Sequence, residues 1–473
     1  MLAKNKEYDL AIVGAGLSGS VAAVQAGLLG IKTLLVEKGR TLGGTGNYVE
    51  GVFAVGSKLQ KERGVDINPQ KIIEEEREWT HALADMKIWQ NYINESAKNI
   101  EWLQKYGARI SEMRTLGTGD DTWHLFEGHG KQAINHGLLP VAKKHGVEII
   151  TSSRVIKLET NSQGIVNGVL LKDFESDTEQ SIVTKNVILA TGGYLNNPEL
   201  LDSNNNHNSN RIIPVNSGKD TGDGLNLAWN VGAKKFGMGT VMMFGGQLYE
   251  PKVAGYKNWQ RAINRAVTHE AILWVNQNGE RFANEDCTDI WAIAGNTLIR
   301  QEKVYAILDQ TQFKSLAKHA FKGNYDYKNL LAELDSDIKS NKPYLFKANT
   351  VKELAKKMQL DNLEITVKHY NDLVKQGRDT DFYKKANYLH KISNGPVYAF
   401  ELGVGAFCTL GGLKVNFENK VLDNNGHPIG GLYAIGSDGS AVLVGDTYGV
   451  NVPGSEAGYC VYSGRNAVFN LIK

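Results

Sequence analysis

Asp9-Leu-Ala-Ile-Val-Gly14-Ala-Gly16-Leu-Ser-Gly19 decides how this chain folds. Residues 9–13 are mostly apolar and read as a short buried strand, and a glycine loop follows at once. Residues 20–29 are small and apolar and read as a helix packed close on a sheet. Residues 32–37 read as a second strand, so the chain opens on a βαβ unit. In such a unit Gly14 permits the tight turn, Gly16 lets a pyrophosphate approach the backbone, and Gly19 lets the helix pack close. The helix N-terminus, carrying Leu17 and Ser18, then faces the phosphates. Glu37, followed by Lys38, is placed to accept from a ribose hydroxyl. A purely structural glycine turn is the competing reading; the flanking strands and the acid favour dinucleotide binding.

Further glycine clusters follow. They are Thr41-Leu-Gly43-Gly44-Thr45-Gly46-Asn-Tyr-Val-Glu-Gly51-Val52, Ala190-Thr191-Gly192-Gly193, Thr221-Gly222-Asp223-Gly224 and Gly430-Gly431-Leu-Tyr-Ala-Ile-Gly436. Between them, residues 68–107 and 135–145 read as helical. Residues 147–158 and 164–173 read as strands joined by Asn161-Ser-Gln-Gly, and 186–191 as a buried strand. Residues 203–210 are a polar, low-complexity loop. The stretch 241–404 differs in texture: rich in Lys, Asn, Tyr and Trp, with two helical stretches near 350–376. One domain interrupted by another is the expected organisation, 1–240 with 405–473 and 241–404.

The chain has 473 residues, 42% hydrophobic and 22% charged, with a formal net charge of +2. Nothing there argues for nucleic acid or an anionic membrane surface. The 51 glycines against 9 prolines suggest tight turns and close backbone approaches rather than disorder. Cys287, Cys408 and Cys460 are far apart and form no CxxC pair, so a disulfide framework, a zinc site and a c-type haem attachment are not expected, and no metal ligands are assigned. Reduced thiols fit a cytoplasmic protein. No export signal and no membrane span are visible.

Taken in order, the glycine clusters resemble the flavoprotein family of fumarate reductase, succinate dehydrogenase, urocanate reductase and 3-ketosteroid dehydrogenase. The resemblance covers nearly the whole chain. It implies an α/β fold: a doubly wound, glutathione-reductase-like Rossmann domain that binds FAD, interrupted by an α+β clamp (capping) domain, with the active site between them. Leu273-Trp-Val-Asn-Gln-Asn-Gly279-Glu-Arg281-Phe-Ala-Asn284-Glu285 is similar to the clamp hairpin. By the same resemblance Gly43, Gly44 and Thr45 line the pyrophosphate and isoalloxazine, with Gly51 and Val52 nearby, and Val155 offers its backbone to adenine. Ala190, Thr191 and Gly192 close the adenosine side. Asp223 takes a flavin-side hydroxyl or caps a helix. Gly436, Ser437, Asp438, Gly454 and Ser455 complete the cofactor set. Residues 41–52 contain no His, the covalent attachment point of some members, so non-covalent FAD is expected.

Three departures separate this chain from fumarate reductases. The arginine that acts as their proton donor falls on Asp289, their clamp histidine on Cys408, and their C-terminal arginine near Asn451. A buried dicarboxylate without these partners is costly, so fumarate and succinate are disfavoured. Tyr448, in Asp446-Thr-Tyr448-Gly-Val-Asn-Val-Pro453-Gly454, resembles the tyrosine element of ketosteroid dehydrogenases, and reads either as the proton donor or as a core or surface tyrosine. Tyr249, with Tyr48 and Tyr194, falls where it would line the domain interface. His269 and Arg281 suit a relay, or for Arg281 a structural ion pair; His124 and His129 are weaker candidates. The expected function is reduction of an activated C=C bond, enone or vinylphenol-type, by hydride from flavin N5 and a proton from a protein acid. NADH, reduced free flavin or another protein would be the electron donor. The alternatives are a ketosteroid-type dehydrogenase, a flavin oxidase, and a non-redox flavin-containing isomerase or hydratase.

Overall fold

The computed structural model describes residues 6–115, 119–204, 208–323, 325–393, 395–448 and 452–472. The chain divides into two compact units. Met1–Asn205, Asn216–Met242 and Cys408–Lys473 form the first; Asn206–Val215 and Met243–Phe407 form the second.

The strand Glu7–Val13 lies inside the first unit's sheet because Leu10 to Val13 are apolar on both faces, and all four are buried. It pairs in parallel with Thr33–Val36 on one side and Glu179–Leu189 on the other, Ile12 standing opposite Leu35 and Ile188. Glu148–Ile150 and Pro428–Ala434 extend the parallel sheet outward on the two sides. Lys420–Leu422 adds an antiparallel edge. Ser153–Thr160 and Val166–Asp173 form a hairpin that joins Glu179–Leu189. The helix Leu17–Leu28 crosses over from the first strand to the second, and Val21 and Ala22 share a core with Ile12 and with Val461 and Val468 of the last helix, Ser455–Leu471.

The helical stretch 68–107 is two helices. Pro69–Trp79 starts on Asn68, which accepts from the Gln70 amide, and Met86–Lys105 starts on Asp85, which accepts from Lys87 and Ile88. His81 and Ala82 take positive φ between them, which a continuous helix forbids. The helix read at 135–145 begins earlier, at His129, and passes through a π-helical stretch over Gln132–Leu138.

The second unit is built on a six-stranded sheet around the long strand Val397–Thr409. Val304–Asp309 and Leu345–Ala348 pair with it antiparallel, and Ile212–Pro214 parallel. The helices Val351–Met358 and Leu363–Gln376 bury Leu354, Leu363, Val367 and Tyr370 against Leu273, Val275 and Ile307. The hairpin expected at 273–285 is corrected. Leu273–Asn276 pairs with Val304–Asp309 instead, and 277–280 is a tight turn in which Asn276 Oδ1 accepts from the Asn278 and Glu280 amides. The residues after the turn form a short 3-10 helix, Glu285–Asp289.

Candidate functional site

The three motif glycines do three different jobs. A Cβ on Gly14 would lie 2.2 Å from the Ala190 carbonyl oxygen, and its φ is +108°. A Cβ on Gly19 would lie 1.9 Å from the Gly14 carbonyl oxygen. Both positions are closed by backbone, so they hold the turn and the helix in place. Gly16 is open: the nearest atom to its Cβ would be the Gly43 carbonyl oxygen, 3.9 Å away. The Gly43–Gly44 turn faces Gly16 across that space, since a Cβ on Gly44 would meet the Gly16 Cα at 4.0 Å. The helix beginning at Leu17 has neither a side-chain cap nor an acidic residue in its first turn. Backbone cradle and uncapped helix N-terminus together fit a pyrophosphate.

Glu37 directly follows the strand Thr33–Val36 and is buried. Its carboxylate accepts from the Ala15 amide at 3.2 Å and the Gly39 amide at 2.8 Å, and pairs with Lys219 at 3.3 Å. Those bonds fix a carboxylate beside the loop, where a ribose diol would meet it. Lys38 Nζ reaches Thr221 Oγ1 at 2.7 Å and Asp223 at 2.8 Å; Arg154, next to Val155, reaches the other Asp223 oxygen at 2.6 Å. Asp223 is the first residue of the helix Asp223–Trp229, with Gly222 at the cap position. Its two cations and the Thr221 hydroxyl hold its carboxyl below the usual range against the upward push of burial.

Thr45 donates to Asp220 at 2.7 Å, and burial pushes the Asp220 carboxyl up to about 7. Ala190 binds Val13 through its amide. Asp438 is fully buried and accepts from the amides of Thr191, at 2.6 Å, and Gly193, at 2.9 Å, and from the Thr191 hydroxyl. It therefore shapes the 190–193 turn. The Gly436 amide donates to Ser463, and the Gly454 carbonyl accepts from Phe53, which ties the strand Gly51–Phe53, with Val52, to the start of the last helix at Ser455.

Sequence reading missed Glu456. It lies in the first turn of the last helix, buried, with Oε1 accepting from Ser437 at 2.9 Å. Its Oε2 has no hydrogen-bond partner among the described residues. Burial pushes this carboxyl up to about 7, against the pull of the Ser437 and Ser440 hydroxyls. Tyr448 is half-buried in the same unit; burial, with Cys408 and Glu456 nearby, holds its phenol well above the ordinary value. Cys408 is buried with its thiol pushed up by burial. Asn451 lies outside the described residues, as does the side chain of Asp289.

The remaining candidates lie elsewhere. Tyr249, in the second unit, donates to the Asn210 carbonyl at 3.2 Å and stacks under Arg211, 4.0 Å from its ring centre. Arg281, also in the second unit, pairs with Glu285 at 2.9 Å and Asp379 at 2.6 Å, both fully buried. Those contacts hold the 3-10 helix onto the segment at 379–384, where Lys384 pairs with the same Glu285 at 3.3 Å. His124 shares a 2.7 Å bond with Ser57 and a 2.9 Å bond with the Thr122 carbonyl. Tyr194 accepts from the Gly239 amide, and Tyr48 is exposed. His269 is buried among aromatic rings of the second unit, with neither ring nitrogen hydrogen-bonded to a described residue.

Residues 9–448 match the family model described as the FAD binding domain. The chain belongs to this FAD-binding family. Within its wider kinship, it is 43% identical to vinyl phenol reductase of Lactiplantibacillus plantarum over 98% of this chain and 96% of that one. The open conformation of a flavocytochrome c3 fumarate reductase superposes with a TM-score of 0.75 at 26% identity, covering 99% of this chain and 79% of that one. A 3-ketosteroid Δ1-dehydrogenase from Sterolibacterium denitrificans gives 0.78 at 18% identity, over 98% of this chain and 99% of that one, a likeness of fold. The α/β architecture is thus that of an FAD-binding Rossmann domain with a capping domain, and the protein is an FAD-dependent oxidoreductase acting on carbon–carbon double bonds. Among the described residues, no helix is long and apolar enough to cross a membrane.

Proposed function

We propose that this protein reduces the vinyl side chain of a hydroxylated aromatic compound with non-covalently held FAD. The observation that carries the reading is the identity of 43%, along almost the full length of both chains, with a vinyl phenol reductase. The replacement of the fumarate-binding arginine and histidine by Asp289 and Cys408 supports it, because neither residue offers a cation to a dicarboxylate.

In this reading Gly14, Gly16, Gly19, Gly43, Gly44 and Thr45 cradle the pyrophosphate. Glu37 takes the adenosine ribose, with Val155 at the adenine. FAD held by these residues would, once reduced, supply a hydride to one alkene carbon. Tyr448 supplies the proton for the other carbon. Burial keeps this phenol protonated, so the proton is in place before the hydride arrives; as a weaker acid than an ordinary phenol, it gives that proton up only to the strongly basic carbon that hydride addition creates. Hydride plus proton complete the two-electron reduction, and solvent reprotonates the tyrosinate. The electrons reach the flavin from NADH, reduced free flavin or a donor protein. Three free cysteines, Cys287, Cys408 and Cys460, agree with a cytoplasmic location.

The test is anaerobic reduction of the holoenzyme followed by a panel of alkenes. Reoxidation by 4-vinylphenol but not by fumarate is the expected result. Reoxidation by air alone, with peroxide release, points to an oxidase; turnover with the flavin staying oxidised points to an isomerase or hydratase; reduction by a saturated ketosteroid points to a dehydrogenase. Any of the three would overturn the reading.

A further inference from the structure

Within the second unit six rings gather around one place. Phe244 lies 4.3 Å from Trp259 and 4.4 Å from Phe407, centre to centre, and Trp259 lies 6.0 Å from Trp291. His269 lies 5.6 Å from Trp291 and 5.5 Å from Tyr325. Phe244 is buried beneath, whereas Trp259, Trp291 and Phe407 are only half-buried. Trp259 and Trp291, 6.0 Å apart, thus keep part of their apolar surface uncovered, where a further planar ring gains both burial and stacking.

His269 is the buried imidazole of this cluster. It is 9% exposed, and neither Nδ1 nor Nε2 has a hydrogen-bond partner among the described residues. His124, buried in the first unit, uses both nitrogens, on Ser57 and on Thr122. Leaving a buried imidazole unpaired costs about 1–3 kcal/mol, which an incoming partner would recover. Burial, with Arg265 and Lys322 nearby, pushes the His269 pKa down to about 4, so the ring is neutral. A neutral imidazole carries one donor and one acceptor. A phenolic hydroxyl has the same pair, and a carboxylate has acceptors only.

We propose that Trp259 and Trp291 stack the aryl ring of a hydroxylated substrate while His269 receives its phenolic hydroxyl. This rests on the reading of the protein as a reductase of hydroxylated vinyl arenes, and it assigns that substrate's recognition to these side chains.

The experiment titrates oxidised holoenzyme with 4-ethylphenol and with its methyl ether, 4-ethylanisole, followed by calorimetry. Neither probe can be reduced, so binding is read apart from turnover. The wild-type protein is expected to prefer the phenol by about 10- to 100-fold. His269→Phe should abolish that preference, and His269→Gln, which keeps a donor and an acceptor, should restore part of it. Trp291→Ala should weaken both probes alike. Equal binding of phenol and ether by the wild type overturns the proposal without any variant, and so does a preference that survives in His269→Phe. The alkene panel is scored separately. A phenol preference without reoxidation by 4-vinylphenol upholds the binding site and removes the function, whereas reoxidation by 4-vinylphenol and styrene at equal efficiency, with no phenol preference, does the reverse.

Discussion

Ser437 donates its hydroxyl to Glu456 across 2.9 Å, joining the end of the last parallel strand to the first turn of the C-terminal helix. The second Glu456 oxygen has no hydrogen-bond partner among the described residues. Its pKa, raised from the usual 4.5 to about 7, makes the carboxyl hold its proton more tightly in the folded protein than in the unfolded chain. Stability from this group is therefore full below pH 4.5 and is lost as the pH rises through about 7. Glu456→Gln removes the titration. The melting temperature of the variant relative to wild type should rise between pH 5 and pH 8, as measured by calorimetry on the holoenzyme; a flat difference would remove Glu456 from the pH response.

Gly14 and Gly16 should respond differently to the same substitution. Gly14→Ala forces a Cβ to within 2.2 Å of a carbonyl oxygen at φ +108°, so the fold itself should suffer. Gly16→Ala meets nothing closer than 3.9 Å and should leave the FAD-free protein's stability nearly unchanged. Its methyl group occupies the cradle, so FAD affinity should fall by at least about tenfold, or 1.4 kcal/mol. Thermal melts with and without FAD separate the two cases.

Tyr448→Phe should slow alkene reduction by about 10²- to 10⁴-fold while FAD affinity stays unchanged. Single-turnover reoxidation of the reduced enzyme by 4-vinylphenol measures this. An unchanged rate assigns the proton to another group.

Arg281 sits between two fully buried carboxylates, Glu285 and Asp379. Arg281→Gln leaves them without their shared cation and should cost about 3–5 kcal/mol of stability. Asp379, held well below its usual pKa by Arg281 and by backbone amides despite the opposing effect of burial, contributes stability above about pH 4 that is lost in acid. The variant should therefore lose part of the wild type's acid sensitivity. Urea unfolding at about pH 2 and at pH 7 tests both statements.

The nucleotide-binding half of the fold was legible because its signals are local. The strand, the glycines and Glu37 lie within one crossover, and each glycine's job follows from backbone geometry that any such crossover repeats. The second unit was legible only in outline. Its strand Leu273–Asn276 pairs with Val304–Asp309, and the motif after it carries a turn strong enough to read as a hairpin. Glu456 left no signal at all. A glutamate in the first turn of a helix reads as a surface residue favoured by the helix dipole, and only packing shows that it is buried against Ser437. His269 was visible as a residue but not as a site, because Trp259, Trp291 and Tyr325 meet around it from separate parts of the chain.

The order in which the sheet is assembled has a consequence for biosynthesis. Glu179–Leu189 waits for Pro428–Ala434, and Leu17–Leu28 waits for Ser455–Leu471, so the amino-terminal half leaves the ribosome with a bare strand edge and an uncovered helix face. This sheet edge and this helix face stay uncovered until the last strand and helix emerge. A chain cut short before Pro428 should accumulate as aggregate, and chaperone supply rather than cofactor supply should limit its yield in a cell.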